Sequence, residues 1–312
     1  MEVAQAVTHT LQYIIANEAE DQVLEGGPTT RAIIKRGGKH MSDGGRRFDV
    51  PIRLAQNTTG KWMGGSRDSL NQTPQDNLNT AQFSISTLTA TESLTDEEAA
   101  FNSGKEQILN LARTKSNFLM EDMLETFNTK FFTAAANAAE PWGLPDIVST
   151  SNPSIGNVGG IDRTEFSSWQ AGQVYSTANT LDPLTMGIVY SNCTHGMNYP
   201  DLIPTTRTLF SVYEDLVRDH QQVKTGEDGD LGFPHLYFRS SEIFWDAACT
   251  ASGMYFLNSK KIQIWCVPNG AFQVTPTVRS ETKLLESWAM VWRGAVVVTS
   301  PRHSGSILNA HE

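Results

Sequence analysis

From Gln56 to Thr80 the chain is dominated by Asn, Thr, Gly, Ser, Gln and Asp, with Trp62, Met63 and Leu70 as the sizeable apolar side chains of its central part. A polar connection this long is uncommon inside a compact domain and is either functional or structureless. What flanks it limits what it can be. On one side Phe48, Val50, Ile52 and Leu54 alternate with Asp49, Pro51 and Arg53, the period of a half-buried strand. Pro51 has no amide hydrogen to donate and places that strand at a sheet edge. On the other side Ala81, Phe83 and Ile85 alternate in the same way and supply an antiparallel partner. Together they predict a protruding hairpin. Its outer part has little to bury in its own subunit, so ordering it requires a surface on another molecule. Trp62, at the tip, is the natural anchor. A surface loop without a partner is the alternative.

The hairpin needs a body to protrude from. Ser103-Gly104-Lys105-Glu106 reads as a capping box, and Ile108, Leu111, Ala112, Leu119, Met123, Phe127 and Phe131 then recur at three- and four-residue steps. This spacing predicts one helix of about thirty residues, roughly 45 Å long and ended by Pro141. Ahead of the hairpin, Val3, Val7, Leu11, Ile14 and Ile15 make a short amphipathic stripe closed by Gly26-Gly27-Pro28. After the helix, Pro145, Pro153, Gly156, Gly159 and Gly160 mark a connector. A second unit is expected from Leu184, with a strand through Met186, Ile188 and Val189, and a helix opening at Thr205-Thr206 that carries Leu209, Tyr213, Leu216 and Val217. Further strands are expected over 235–238, 254–257 and 261–267. Ala295 to Val298 suits a strand buried on both faces. The fold class is α+β.

The search for chemistry finds no constellation. There is no GxSxG elbow, Walker loop, GxGxxG after a strand, or HExxH. The three cysteines, Cys193, Cys249 and Cys266, lack CxxC spacing and suggest neither a disulfide framework nor a zinc site. His195 near Cys193 has no identified third member. Glu227, Asp228 and Asp230 around Gly229 fail as a calcium loop, because Arg239 stands where a bidentate Glu is required. No catalytic residue, cofactor or metal ligand is therefore assigned, and the chain is not read as an enzyme. A net charge of −10 opposes sequence-specific DNA recognition, since Lys and Arg on phosphate supply most of that affinity. The basic stretch Arg31, Lys35, Arg36, Lys39, Arg46 and Arg47 fits a subunit contact with acidic partners better than DNA. No apolar run approaches the roughly 18 residues of a membrane helix, and the N-terminus lacks the pattern of a signal peptide. A soluble cytoplasmic product is expected.

Several strings, in this order, carry a resemblance: Asn71-Gln72-Thr73-Pro74-Gln75-Asp76 after the hairpin, Asn102-Ser103-Gly104-Lys105-Glu106-Gln107-Ile108 opening the helix, Gly159-Gly160-Ile161-Asp162-Arg163, and Met254-Tyr255-Phe256-Leu257-Asn258. With the order of parts, they resemble the major capsid proteins of tailed bacteriophages, which have the Hong Kong 97-type fold. The resemblance implies an N-terminal arm at 1–30, a peripheral-domain strand region at 31–49 and an extended loop at 50–85. It also implies a peripheral domain at 86–183 with its spine helix at 103–137, an axial domain at 184–275, and a return to the peripheral domain at 276–312. It implies self-assembly into hexamers and pentamers of an icosahedral shell around double-stranded DNA. The implied partners are a separate scaffolding protein, a portal and a decoration protein. An encapsulin-like compartment is the alternative within the fold, and a soluble hydrolase outside it. Lys61, Trp62, Met63 and Arg67 on the loop, Arg46 and Arg47 at its base, and Glu227, Asp228 and Asp230 are the expected inter-subunit contacts. The resemblance also makes Lys61 a candidate crosslinking residue.

Overall fold

The computed structural model describes residues 27–41, 45–65, 69, 71–75, 77–101, 105–176, 181–217, 236–249, 253–268, 270–280 and 282–310. The N-terminal stripe, Ser103 and Gly104 of the capping box, Arg67, Glu227, Asp228 and Asp230 lie outside these residues. So do the side chains of Ile108 and Leu111.

In chain order the elements are α1 (Pro28–Ile33), β1 (Lys39–Met41), β2 (Arg47–Arg53), β3 (Leu78–Ser84), β4 (Ser86–Thr95), α2 (Asp96–Phe101), α3 (Lys105–Phe131), α4 (Leu144–Ile147) and β5 (Gln173–Ser176). There follow α5 (Pro183–Cys193), β6 (Leu202–Thr205), α6 (Arg207–Val217), β7 (Leu236–Phe238), β8 (Ser241–Trp245) and β9 (Met254–Phe256). The last are β10 (Ile262–Cys266), β11 (Gln273–Val274), β12 (Val278–Arg279), β13 (Leu285–Val298) and β14 (Gly305–Leu308). They make two mixed sheets and a separate β2–β3 hairpin.

The first sheet is organised by β13, whose aromatic and β-branched residues suit a pleated, half-buried surface. Its first part pairs with β4 on one side, from Leu285 opposite Thr95 to Gly294 opposite Ser86. Its last part pairs with β10 on the other side, up to Val298 opposite Ile262. Helix α3 lies against this sheet. Ala112, Leu119, Met123 and Phe127 recur at helical spacing and bury against Leu94, Trp288, Met290 and Trp292. Phe127 meets Trp292 edge-on with ring centroids 4.9 Å apart. Lys115 fastens the helix to the end of β4, donating to Ser93 O and Glu98 at 2.9 Å each.

Helix α3 ends at Phe131, short of the expected 137. The segment from Thr133 to Glu140 has strong helical propensity, but tertiary contacts override it. The Asp146 carboxylate accepts from Ala135 N at 2.7 Å and Gly143 N at 3.3 Å, which turns the chain back on itself. Gly143 is pressed so close that a Cβ there would stand 1.9 Å from Thr133 O.

The second sheet, in the order β5-β14-β9-β6-β8-β7, is covered by α5 and α6. The expected strand at Leu184 is instead the helix α5. Asp182 caps it by accepting from Leu184 N at 3.1 Å, and Pro183 sits in its first turn. Met186, Val189, Tyr190 and Cys193 then fall on one buried face. The sheets also divide differently from the expected 184–275 and 276–312. The chain crosses to the first sheet between Phe256 and Ile262 and back between Val298 and Gly305. β14 pairs with β5 and β9, so the end of the described chain returns to the second sheet. The alternation of Ile262, Ile264 and Cys266 would suit either sheet; pairing with Ala295 to Val298 settles it.

Helix α1 holds the two layers together. Thr29 donates from both N and Oγ1 to Asp246 at the end of β8, while Thr30 Oγ1 donates to Asn128 on α3 at 2.7 Å. Arg36, expected on a subunit contact, is instead spent inside its own subunit, reaching Asp201 at 3.2 Å and Glu242 at 2.5 Å.

Candidate functional site

The β2–β3 hairpin is in register from Arg47 opposite Ser84 to Arg53 opposite Leu78. Its root is firmly seated. Phe48, Ala81 and Phe83 are buried in the main core, and Phe48 packs edge-on against Trp265 of β10 with centroids 5.5 Å apart. The connector supplies the other wall. Gly159, at φ +66°, brings its backbone so close that a Cβ would lie 3.1 Å from Ala81 Cβ and 3.3 Å from Trp169. The connector is itself held by Arg163, which is fully buried and donates to Ile147 O (2.9 Å), Ser151 O (2.7 Å) and Trp169 O (3.3 Å). Burial lowers its guanidinium to about 10, so it remains charged at neutral pH. The Gly159 to Arg163 string is legible as part of the connector and of the resemblance; nothing in its spacing reveals that it forms, with Trp169, the seat of the hairpin.

The ladder's last bond is from Leu54 N to Asn77 O at 3.1 Å, and beyond it no described residue is buried in the core until Ala81. From 55 to 75 every described residue is exposed except the half-buried Thr59. Asn57 accepts there from Thr59 N and Oγ1, Asn71 accepts from Thr73, and Thr58 reaches across the loop to Gln75 at 3.2 Å. Trp62 is 100% exposed and Met63 46%. The expectation of a hairpin with an uncovered tip therefore holds in the structure. Lys61, Trp62 and Met63 stand together on its outer part. Arg46 and Arg47 are exposed at the opposite end, where Arg47 pairs with Asp49 at 3.0 Å and donates to Gln82 at 3.0 Å. The structure does not gather these residues into one patch.

Nor do the described residues assemble a reaction centre. Cys193 is buried, and burial pushes its thiol up to about 12, the reverse of activation. Ser300 Oγ lies 2.8 Å from His303 Nδ1, but no carboxylate among the described residues orients the imidazole. Burial, with His195, Lys261 and Arg302 nearby, holds His303 down to about 4, far from a useful general base. Among the described residues no three His, Cys, Asp or Glu side chains gather as metal ligands, and no helix is long and apolar enough to cross a membrane.

The histidine has a consequence for stability. His303 sits in the turn joining β13 to β14, its ring 5.4 Å from that of His195, which meets Arg302. Its folded pKa is depressed, so its contribution is present above about 6.5, the unfolded value, and is lost as pH falls toward 4. Urea unfolding of the unassembled subunit is expected to show a loss of about 2 kcal/mol between pH 7 and pH 5 from this group. His303→Gln should flatten that dependence; an unchanged slope would contradict the assignment.

No family model matches the sequence, and no curated protein matches it. Solved structures do. The chain is similar to the capsid subunit of cyanophage A-1(L), with a TM-score of 0.68 at 17% identity over 91% of this chain and 93% of that one. It is similar to the SrpI encapsulin of Synechococcus elongatus PCC 7942, with a TM-score of 0.60 at 11% identity over 90% and 87% of the two chains. The capsid subunit of a native GTA particle gives 0.59 at 10% identity over 90% and 91%. At these identities the likeness establishes the fold.

Proposed function

We propose that this chain, whose fold is the Hong Kong 97-type α+β capsid fold, is a shell-building subunit: the major capsid protein of a tailed bacteriophage, forming the hexamers and pentamers of an icosahedral shell around double-stranded DNA. The observation that carries this reading is the rooted hairpin whose outer loop leaves Trp62 wholly in solvent. A loop like this has a use where sister copies surround it. Each subunit then gives and receives the same contact, and closed symmetry multiplies interfaces of ordinary size into a stable particle. The first sheet with α3 serves as the peripheral domain, with α3 as its spine. The second sheet with α5 and α6 serves as the axial domain around the symmetry axes.

No turnover is required of the protein. Its net charge of −10 suits a wall that repels packaged DNA weakly rather than adhering to it. A scaffolding protein and a portal are the expected assembly partners, with a decoration protein as a further one, and the virion, assembled in the host cytoplasm, is the expected location.

The likeness to an encapsulin favours a second reading, a compartment enclosing a protein cargo. One experiment addresses both. Expressed with its neighbouring genes and viewed by negative-stain microscopy, the protein is expected to form closed shells. Nuclease-protected DNA in the purified particles supports the phage reading, and a stoichiometric co-purifying protein supports the compartment. A protein that stays monomeric at high concentration, with and without a scaffold, contradicts both.

A further inference from the structure

Where the hairpin ladder ends, its root borders a half-open cavity of about 340 Å3. Three distant parts of the chain meet there: Arg53 and Gln56 at the root, Ser168 in the connector, and Ser300 and Arg302 in the turn from β13 to β14. Two guanidinium groups and no carboxylate line the space. Arg53 spends its Nε on Ala55 O at 3.1 Å, and Arg302 meets His195 Nδ1 at 3.4 Å. Among the described residues neither arginine pairs with a carboxylate. The hydroxyls are already engaged, since Ser168 Oγ donates to Leu54 O at 2.9 Å and Ser300 Oγ lies 2.8 Å from His303 Nδ1. The pull on a ligand therefore comes from the two arginines. A chain of net charge −10 repels anions over most of its surface, so an anion that binds here is drawn locally.

The number of donors selects the anion. One arginine satisfies the two oxygens of a carboxylate as a bidentate pair, whereas a phosphate has further oxygens and can take two forks at once. Small-molecule sites begin at roughly 300 Å3, so the cavity has room for a phosphate and part of what carries it. We propose that this cavity binds a phosphate-bearing anion, an ester or a pyrophosphate, held between Arg53 and Arg302. Bound there, it ties the last rung of the hairpin to the turn that joins the two sheets, a fastening separate from the buried seat at Gly159 and Trp169. The site lies within one subunit and does not depend on the shell-building reading.

Hydrogen exchange of the full-length, unassembled subunit tests the proposal. Millimolar pyrophosphate, with ionic strength held constant by sodium chloride, is expected to slow the amides of residues 52–56 and 299–302 about fivefold, and acetate at the same concentration to leave them unchanged. Calorimetric titration should show one saturable site, weakened about tenfold by Arg53→Gln and by Arg302→Gln. Arg293→Gln, at an exposed position elsewhere on β13, should bind as the parent does. Both cavity arginines are exposed, so their variants should fold; where one does not, exchange in the parent chain decides alone. Absence of protection by pyrophosphate, equal protection by acetate, or binding that survives both substitutions overturns the proposal. A short DNA duplex that displaces pyrophosphate identifies a nucleic-acid backbone as the source of the phosphate, and one that does not identifies a small soluble ester; both results uphold the site.

Discussion

Deletion of Gly60 to Gly65 is expected to abolish shell formation while leaving the subunit folded, and Trp62→Ala is expected to weaken assembly by about 2–4 kcal/mol per contact. The two halves of this outcome have separate physical grounds. Inside the subunit the loop contributes little to the core: its described side chains other than Thr59 are exposed, and the hydrogen bonds of Asn57, Thr58 and Asn71 stay within the loop. Surface changes of this kind typically alter stability by less than about 0.5 kcal/mol, so the thermal midpoint should not move. In the assembly, by contrast, each tryptophan withdraws some 150–250 Å2 from water. Every copy in a closed shell repeats that contact, so a modest loss per interface becomes a large loss for the particle. Sedimentation of the assembly mixture with circular dichroism of the unassembled variant reads both halves. Normal shells from the deletion variant would remove the loop from the mechanism, and an unfolded subunit would show that it serves the core.

The same asymmetry explains what the sequence reveals. The alternation of Phe48, Val50, Ile52 and Leu54 with polar residues is dictated by one local rule, the two-residue period of a strand with one buried face. The polar loop between two such runs is equally local, so the hairpin was legible before any fold was known. The stripe of α3 was legible for the same reason up to Phe131, where the apolar spacing ends. The expected end at 137 overshoots because Pro141 is a visible stop, whereas the working stop is the Asp146 carboxylate, whose acceptance from the main-chain N of Ala135 and Gly143 no side-chain pattern announces. The strand expected at Leu184 failed differently. Met186, Ile188 and Val189 have strand-like side chains, and the Asp182-Pro183 start signal outweighs them.

Sheet membership was the least legible feature. β10 and β9 are both short apolar strands, and each could pair with either layer on its own pattern. The choice is made by β13 and β14, far along the chain. For the site, the tip residues Lys61, Trp62 and Met63 were identifiable because exposure of an aromatic in a polar stretch is unusual. The seat was not, because Arg163 acts through backbone carbonyls that no side-chain pattern encodes.

Arg163 is accordingly where a single side chain is expected to matter most for the folded subunit. Arg163→Met keeps much of the volume and removes every donor, leaving the carbonyls of Ile147, Ser151 and Trp169 without the guanidinium that now serves them. Exchanging a buried ion pair for apolar side chains can be neutral when both partners are replaced. Here the partners are main-chain oxygens, which remain. Three lost bonds to a charged donor should cost about 3–5 kcal/mol, a large share of the roughly 5–15 kcal/mol that holds a domain together. Arg163→Lys should fall between the two, since one ammonium cannot reproduce the geometry of the planar fork. Urea unfolding of the unassembled subunit measures the effect. The expected order of midpoints is parent, lysine variant, methionine variant. Because the connector also walls the hairpin root through Gly159 and Trp169, assembly should fall in step with that stability, unlike the Trp62 case, where the two part company. An Arg163→Met subunit with the parent's midpoint would show that the carbonyls find other donors and that the hairpin is seated by apolar packing alone.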